Sequence, residues 1–445
     1  MKKIMALFVS FCIMTSIFAG CGSESASTST GGSEASQSSQ AQQQDSSNKE
    51  EKEVTIKAFF NSLDHESYLK PLNDAFMEKY PNIKIQFDTP GSTAYETVLK
   101  TKLASGDAPD MMSVWPGGLM ADYAAAGHLL DITGQAYTER LTDLVKNEYT
   151  FKDKLYGVGW NATAEGVYYN KKIFADLKIQ QPTNWDEFLA ACETIKQAGI
   201  TPIASGFKDD WTAIRVVNSA YSTLVFGRDP DFDNKLVKGE IDFNDKNVLE
   251  VYQKFGTLLD KGYFDKTPLS TDYNLANTMF AQGKAAMVIQ GGWALAALSE
   301  ASKDNANIDI GFMPFPVNNK DEQLLGCWHV EVGMAGSAKT ENPDAVNKYF
   351  DFFTSKDVYS SYLTEKKVYP VTKDANVQID PEMDKFVADY VTTGKVTTWA
   401  HEIWPNAMTN DWKKKLQEFA IGQLSAEEMC KWLTDTYAKS ENLYK

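Results

Sequence analysis

The chain has 445 residues, with 44 Lys and Arg against 60 Asp and Glu for a net charge of −16, and 43% of it is hydrophobic. That acidity argues against nucleic acid and anionic lipid surfaces as partners. The apolar content supports a sizeable core, and the length exceeds what one core normally serves, which points to two lobes of ordinary domain size.

In chain order, Met1, Lys2 and Lys3 precede the apolar run MALFVSFCIMTSIFAG, too short for a membrane span of ~20 residues and therefore read as a signal peptide over residues 1–20. Ala19 and Gly20 before Cys21 look like the lipobox of bacterial lipoproteins, with Cys21 acylated and left as the new N-terminus, although Phe18 replaces the usual leucine. The alternative is ordinary secretion with an incidental cysteine. Residues 21–53 then run through a Ser/Gly/Gln-rich segment with no large apolar side chain, a disordered tether that cannot offset its ordering entropy. Its ~30 residues reach roughly 30 Å.

The body opens with a strand VTIKAFF, a helix ESYLKPLNDAFMEKY, a strand IKIQFD and a helix AYETVLKTKLASG, followed by APDMMSVWPG as a buried strand and its loop. This β-α-β-α alternation predicts an α/β fold with a mostly parallel sheet covered by helices, and ligands gather at the carboxyl ends of such strands. Trp115 stands at one of those ends. Farther on, Thr183 is placed to cap the helix that starts near Trp185, with Asp186 and Glu187 in its first turn. FAQGKAAMVIQGGWALAAL gives a helix end, a strand and a glycine turn before Trp293, and the C-terminal third reads as helix-rich. No repeat of 20–50 residues is present.

Catalytic and metal signatures are missing from the sequence. The histidines 65, 128, 329 and 401 form no His-x-x-x-His pair, HEIWP lacks a second zinc ligand, and neither a glycine-rich nucleotide loop nor a Gly-x-Ser-x-Gly elbow occurs. No cofactor is expected. Once Cys12 leaves with the signal and Cys21 is acylated, Cys192, Cys327 and Cys430 remain; Cys192 and Cys430 lie in helix-like segments and read as small buried hydrophobes.

Tryptophan is the conspicuous residue, with ten copies, many beside glycine, proline or polar residues. An indole can stack on the apolar face of a sugar ring while neighbouring carboxylates and amides bind its hydroxyls. Asn61 and Asp64, Asn161 beside Trp160, Asp209 and Asp210 before Trp211, and Asn410 and Asp411 before Trp412 are such neighbours. A single loop tryptophan also serves often as a packing residue, and Trp185 and Trp432, inside helix-like segments, are assigned to packing. His329 and Glu331 alternate along one strand, open to either structural pairing or ligand contact.

At these residues the chain resembles the extracellular solute-binding proteins of carbohydrate ABC importers, the family that includes maltose-binding protein. The likeness rests on LASGDAPDMMSVW, GHLLDIT, YGVGWNATAEGVYYNKKIF with PTNWDEF, and FAQGKAAMVIQGGWA leading to IGFMPFP, in the family's order and spacing. It implies a two-lobed, periplasmic-binding-protein-like α/β fold with a hinge between discontinuous lobes, 54–159 plus 313–366 and 160–312 plus 367–445. It also implies a monomeric, non-enzymatic receptor, lipid-anchored on the extracellular face of the cell membrane, that passes a mono- or oligosaccharide to ABC permease subunits. The family's ligand contacts fall here on Asn61 to His65 (Asn61, Asp64 and His65), Trp115, Asp210, Trp211, Trp293 and Trp412; position adds Trp160, Asn161 and Trp328. Where maltose-binding protein has charged groups after its counterpart of Trp115, this chain has PGGLM, so maltose specificity is not implied. A secreted glycoside hydrolase with a buried carboxylate pair, or a receptor for a polyamine or other non-sugar solute, stands as the alternative.

Overall fold

The computed structural model describes residues 52–61, 66–90, 92–375 and 377–444; the expected signal peptide, Cys21 and the tether before residue 52, with Asp64 and His65, lie outside the described residues. Strand β1 (Val54–Phe59) exposes Thr55 and Lys57 and buries Ile56 and Ala58 between them, the period of a strand with one face on a core. Helix Glu66–Lys79 returns the chain to β2 (Ile83–Asp88), and helix Ser92–Ser105 returns it to β3 (Met111–Val114); both strands run parallel to β1, one on each edge. A hairpin of β4 (Thr150–Phe151) and β5 (Lys154–Leu155) follows, then β6 (Val158–Gly159).

Two residues later the chain enters a second sheet. Its central strand, β7 (Ala162–Asn170), is buried at every position, as expected of a strand covered on both faces. β8 (Thr201–Ala204) runs parallel to β9 (Ala285–Gly291), while β9, β10 (Ile310–Met313) and β11 (Gly326–Val330) each pair antiparallel with β7. The chain then returns as β12 (Gly333–Gly336) to pair with β3 and β6, and finally adds the short β13 (Val396–Thr397) beside β11. The strand orders are β2-β1-β3-β12-β6 and β13-β11-β7-β9-β8, with β10 also on β7.

The molecule is thus a two-lobed α/β body, one sheet to each lobe. The crossings lie side by side: Trp160 N–H donates to Val332 O (2.8 Å), Glu331 N–H to Asn161 O (3.1 Å) and Ala162 N–H to Tyr369 O (2.8 Å). The return to the first lobe falls at Glu331–Val332, not at the expected residue 313. The proline-rich MPFP segment looks like an exit, but β10 and β11 on either side of it are both hydrogen-bonded to β7, which keeps 313–330 in the second lobe. A second, smaller correction concerns the helix Trp185–Gln197: its cap is Asn184, whose side chain accepts from Glu187 N–H at 3.1 Å. Thr183 instead donates its N–H and hydroxyl back to the Glu187 carboxylate, at 2.8 Å each.

Each lobe closes over aromatic side chains. In the first, Phe76 packs 5.1 Å from Tyr349 and 5.4 Å from Phe352, bringing helix Pro343–Phe353 onto helix Glu66–Lys79. In the second, helix Ala213–Tyr221 is buried at every residue, lying between the sheet and the helices Lys246–Asp260 and Asn406–Ala420. Cys192, Cys327 and Cys430 are buried free thiols.

Candidate ligand-binding site

Parallel strands place their carboxyl ends at a common edge, and loops leaving that edge are where solutes are gathered. In the second lobe two such loops leave β8 and β9. The loop after β8 is shaped by its own polar groups: the Thr212 hydroxyl lies 2.8 Å from both Gly206 O and Asp209 O, and the Asp209 carboxylate accepts from Tyr273 N–H at 2.9 Å. This brings Trp211 to 5.2 Å from the Tyr273 ring and 6.2 Å from the Trp293 ring. Trp211 and Trp293 are half-buried, so their rings are only partly covered. Asp210 stands in the same loop, also half-buried.

Trp293 lies down on the end of β9. A Cβ on Gly291 would stand 2.1 Å from a carbon of the indole, and one on Gly292 would stand 2.6 Å from the Thr163 hydroxyl, which itself accepts from Gly292 N–H at 2.9 Å. Gly291 is therefore a steric requirement for the ring's position, and Gly292 for the close approach of Thr163. Behind the ring the Arg215 guanidinium carbon lies 5.5 Å from the centre of Trp293 and 5.1 Å from that of Trp399, within cation–π range. Arg215 donates to Glu165 on β7; His329 Nε2 lies 3.6 Å from the same carboxylate oxygen, and its ring centre lies 3.9 Å from that of Trp399, tilted by 48°. Burial drives the His329 pKa below the usual imidazole value, against the opposing pull of Glu165.

In the first lobe the carboxyl ends of β1 and β3 carry Asn61 and Trp115. Asn61 N–H donates to Ser113 Oγ (3.0 Å), and its side-chain oxygen is buried with no partner among the described residues. Trp115 is half-buried, edge-on to Tyr95 at 5.9 Å. Just beyond it the lobes touch: Gly118 N–H donates to Glu402 O at 2.9 Å, and the Glu148 carboxylate accepts from Val330 N–H (2.8 Å) and the Thr398 hydroxyl (3.1 Å). Glu402 is buried, and both of its carboxylate oxygens lack a partner among the described residues. Burial, then Asp233, pushes its pKa up to about 8; burial, then Glu402, raises Glu148 well above the carboxylate range.

Four of the residues expected at the site stand elsewhere. Trp160 is fully buried in the first-lobe core against Phe60, Phe353 and Tyr362, leaving no face for a solute. Asn161 is locked into the crossing, its side-chain amide donating to Glu331 (2.8 Å) and its carbonyl oxygen accepting from Tyr362 (2.9 Å). Trp412 is fully buried, its indole N–H donating to Tyr252 at 3.0 Å and its ring 5.0 Å from Trp404. Trp328 is half-buried against Tyr369 (5.5 Å) and Phe386 (6.4 Å); neighbours on a strand point to opposite faces, so it faces away from His329 and Arg215. Sequence reasoning passed over Arg215, Tyr273 and Trp399. Arg215 did leave a signal, standing one helical turn after Trp211 in an otherwise apolar segment.

A two-lobed α/β body with aromatic rings at its strand ends and the chain crossing repeatedly between sheets has the form of a solute receptor. The chain belongs to the family described as bacterial extracellular solute-binding protein, which it matches over residues 61–359. A multiple sugar-binding protein of Streptococcus mutans is 28% identical over 370 residues, covering 80% of this chain and 84% of its own length. Among solved structures, a chitin oligosaccharide binding protein superposes with a TM-score of 0.78 at 24% identity, covering 87% of this chain and 98% of its own. The binding protein RafE in complex with raffinose superposes at 0.74, also at 24% identity, covering 87% and 99%.

Proposed function

We propose that this chain is the receptor of a carbohydrate ABC importer, capturing a mono- or oligosaccharide between its lobes and handing it unchanged to membrane permease subunits. The observation that carries the reading is the Trp211–Trp293 pair, 6.2 Å apart and half-buried at the carboxyl ends of β8 and β9. Such rings stack on the apolar faces of sugars. Trp115 and Asn61 at the ends of β3 and β1 supply an aromatic face and an unsatisfied acceptor from the other lobe, so a solute touching both favours the form in which they approach. Sugar-binding relatives support the chemical class. The carboxylates Glu148 and Glu402 do not favour a hydrolase, because Glu148 is committed to Val330 and Thr398. In the cell the chain is lipidated at Cys21 and held at the extracellular face of the membrane by its tether, acting as a monomer.

The test is calorimetry and tryptophan fluorescence over raffinose, stachyose, maltotriose, chitobiose and xylobiose, with chromatography of the recovered sugar. A saturable response with unaltered sugar is expected. Absence of any response removes the carbohydrate assignment, and shortened products replace the receptor with the hydrolase.

A further inference from the structure

We propose that Arg215 is a positioning residue for the solute-stacking wall, fixing the Trp293 indole to the sheet through Glu165; this rests on the sugar-receptor reading above. Arg215 is only 6% exposed and cannot offer its charge to a solute. It is carried on helix Ala213–Tyr221, one turn after Trp211, and its guanidinium meets Trp293 and Trp399 at 5.5 Å and 5.1 Å while donating to Glu165, which is fully buried. Half-buried and lying against Gly291, the Trp293 ring is held further by its contact with Arg215.

The pair neutralises a buried charge, but that role alone does not account for its geometry. An ion pair built for stability is bidentate and saturates its hydrogen-bonding atoms. Here Arg215 Nε and the second Glu165 oxygen have no partner among the described residues. The planar head is instead spent on two indoles, an attraction that a lysine reproduces poorly because its charge is compact and strongly hydrated.

The experiment uses the full-length chain and whichever sugar of the panel saturates it. Arg215→Lys keeps the charge and loses the plane; Glu165→Gln with Arg215→Met removes both charges, so that no unpaired ion is left buried should the single variant fail to fold. The expected result for Arg215→Lys is a loss of affinity of about tenfold, a changed indole band in the near-ultraviolet circular dichroism of the sugar-free protein, and a melting temperature within a few degrees of the parent. In a Trp293→Ala background the same substitution should cost less than twofold, since the ring it positions is gone. Equal losses in both backgrounds overturn the proposal and leave Arg215 a structural residue. So does parental affinity with an unchanged indole band in the doubly substituted protein. If no sugar binds the parent, the receptor reading falls, and the indole band alone decides: changed in a folded Arg215→Lys protein it supports positioning, unchanged it refutes it.

Discussion

A tryptophan with both ring faces covered stabilises a fold, whereas one with a face left open can hold a solute. Trp160 is of the first kind, enclosed by Phe60, Phe353 and Tyr362. Trp160→Ala should cost about 3–5 kcal/mol of stability, read as a lowered urea midpoint. Trp293 and Trp115 keep part of their surface exposed. Trp293→Ala and Trp115→Ala should each weaken sugar binding by about 1–3 kcal/mol in calorimetry, with little change in melting temperature. Glu402 yields a prediction in pH. Its folded pKa of about 8 exceeds the ordinary 4.5 of an unfolded glutamate, so folding takes up a proton and stability falls as pH rises between those values. Buried His329 and half-buried His401 have pKa values lowered by desolvation; they oppose this only below the usual imidazole pKa near 6.5. Glu148, raised well above the carboxylate range, and Asp233, raised by burial to about 7, act in the same direction, so between pH 6.5 and 8 stability falls through these buried carboxylates together. Urea unfolding at several pH values should show it, and Glu402→Gln should make the fall shallower.

At the scale of elements, the legible parts were those whose pattern is local. β2 (Ile83–Asp88) spans the residues read as IKIQFD, and β9 (Ala285–Gly291) falls where FAQGKAAMVIQGGWALAAL was read as a strand before a glycine turn, because apolar spacing and flanking glycines report strands directly. Lobe membership of 313–330 was not legible, since it depends on hydrogen bonds to β7 formed across a long sequence separation. Asn161 failed for a related reason: a polar residue beside a tryptophan looks the same whether it meets a solute or, as here, Glu331 and Tyr362 in the crossing. The Trp211–Trp293 juxtaposition was visible only as two loops following strands. That Arg215 meets Trp293 and Trp399 needed helix Ala213–Tyr221 to be set against β7 and β9. The glycine turn after β9 gives a test at this scale. A methyl group at Gly291 would collide with the indole of Trp293, so Gly291→Ala should displace the ring, reducing sugar affinity at least as much as Trp293→Ala and shifting the emission spectrum of the sugar-free protein.

At the scale of the whole molecule, the proposed anchor gives a prediction of its own. The proposed anchor at Cys21 precedes the described fold, so Cys21→Ser should release the chain into the medium with its sugar affinity unchanged, as fractionation and calorimetry would show. The paired crossings carry a further consequence for biosynthesis. β3 finds its second neighbour in β12, Met111 facing Gly336, with the entire second sheet up to β11 emerging in between. While the ribosome is still making that interval, the first sheet keeps a bare edge, and non-local pairing of this kind is slow to form. Neither half is therefore finished early: the first sheet waits for β12 and the second for β13, so the two halves complete themselves together, late in synthesis.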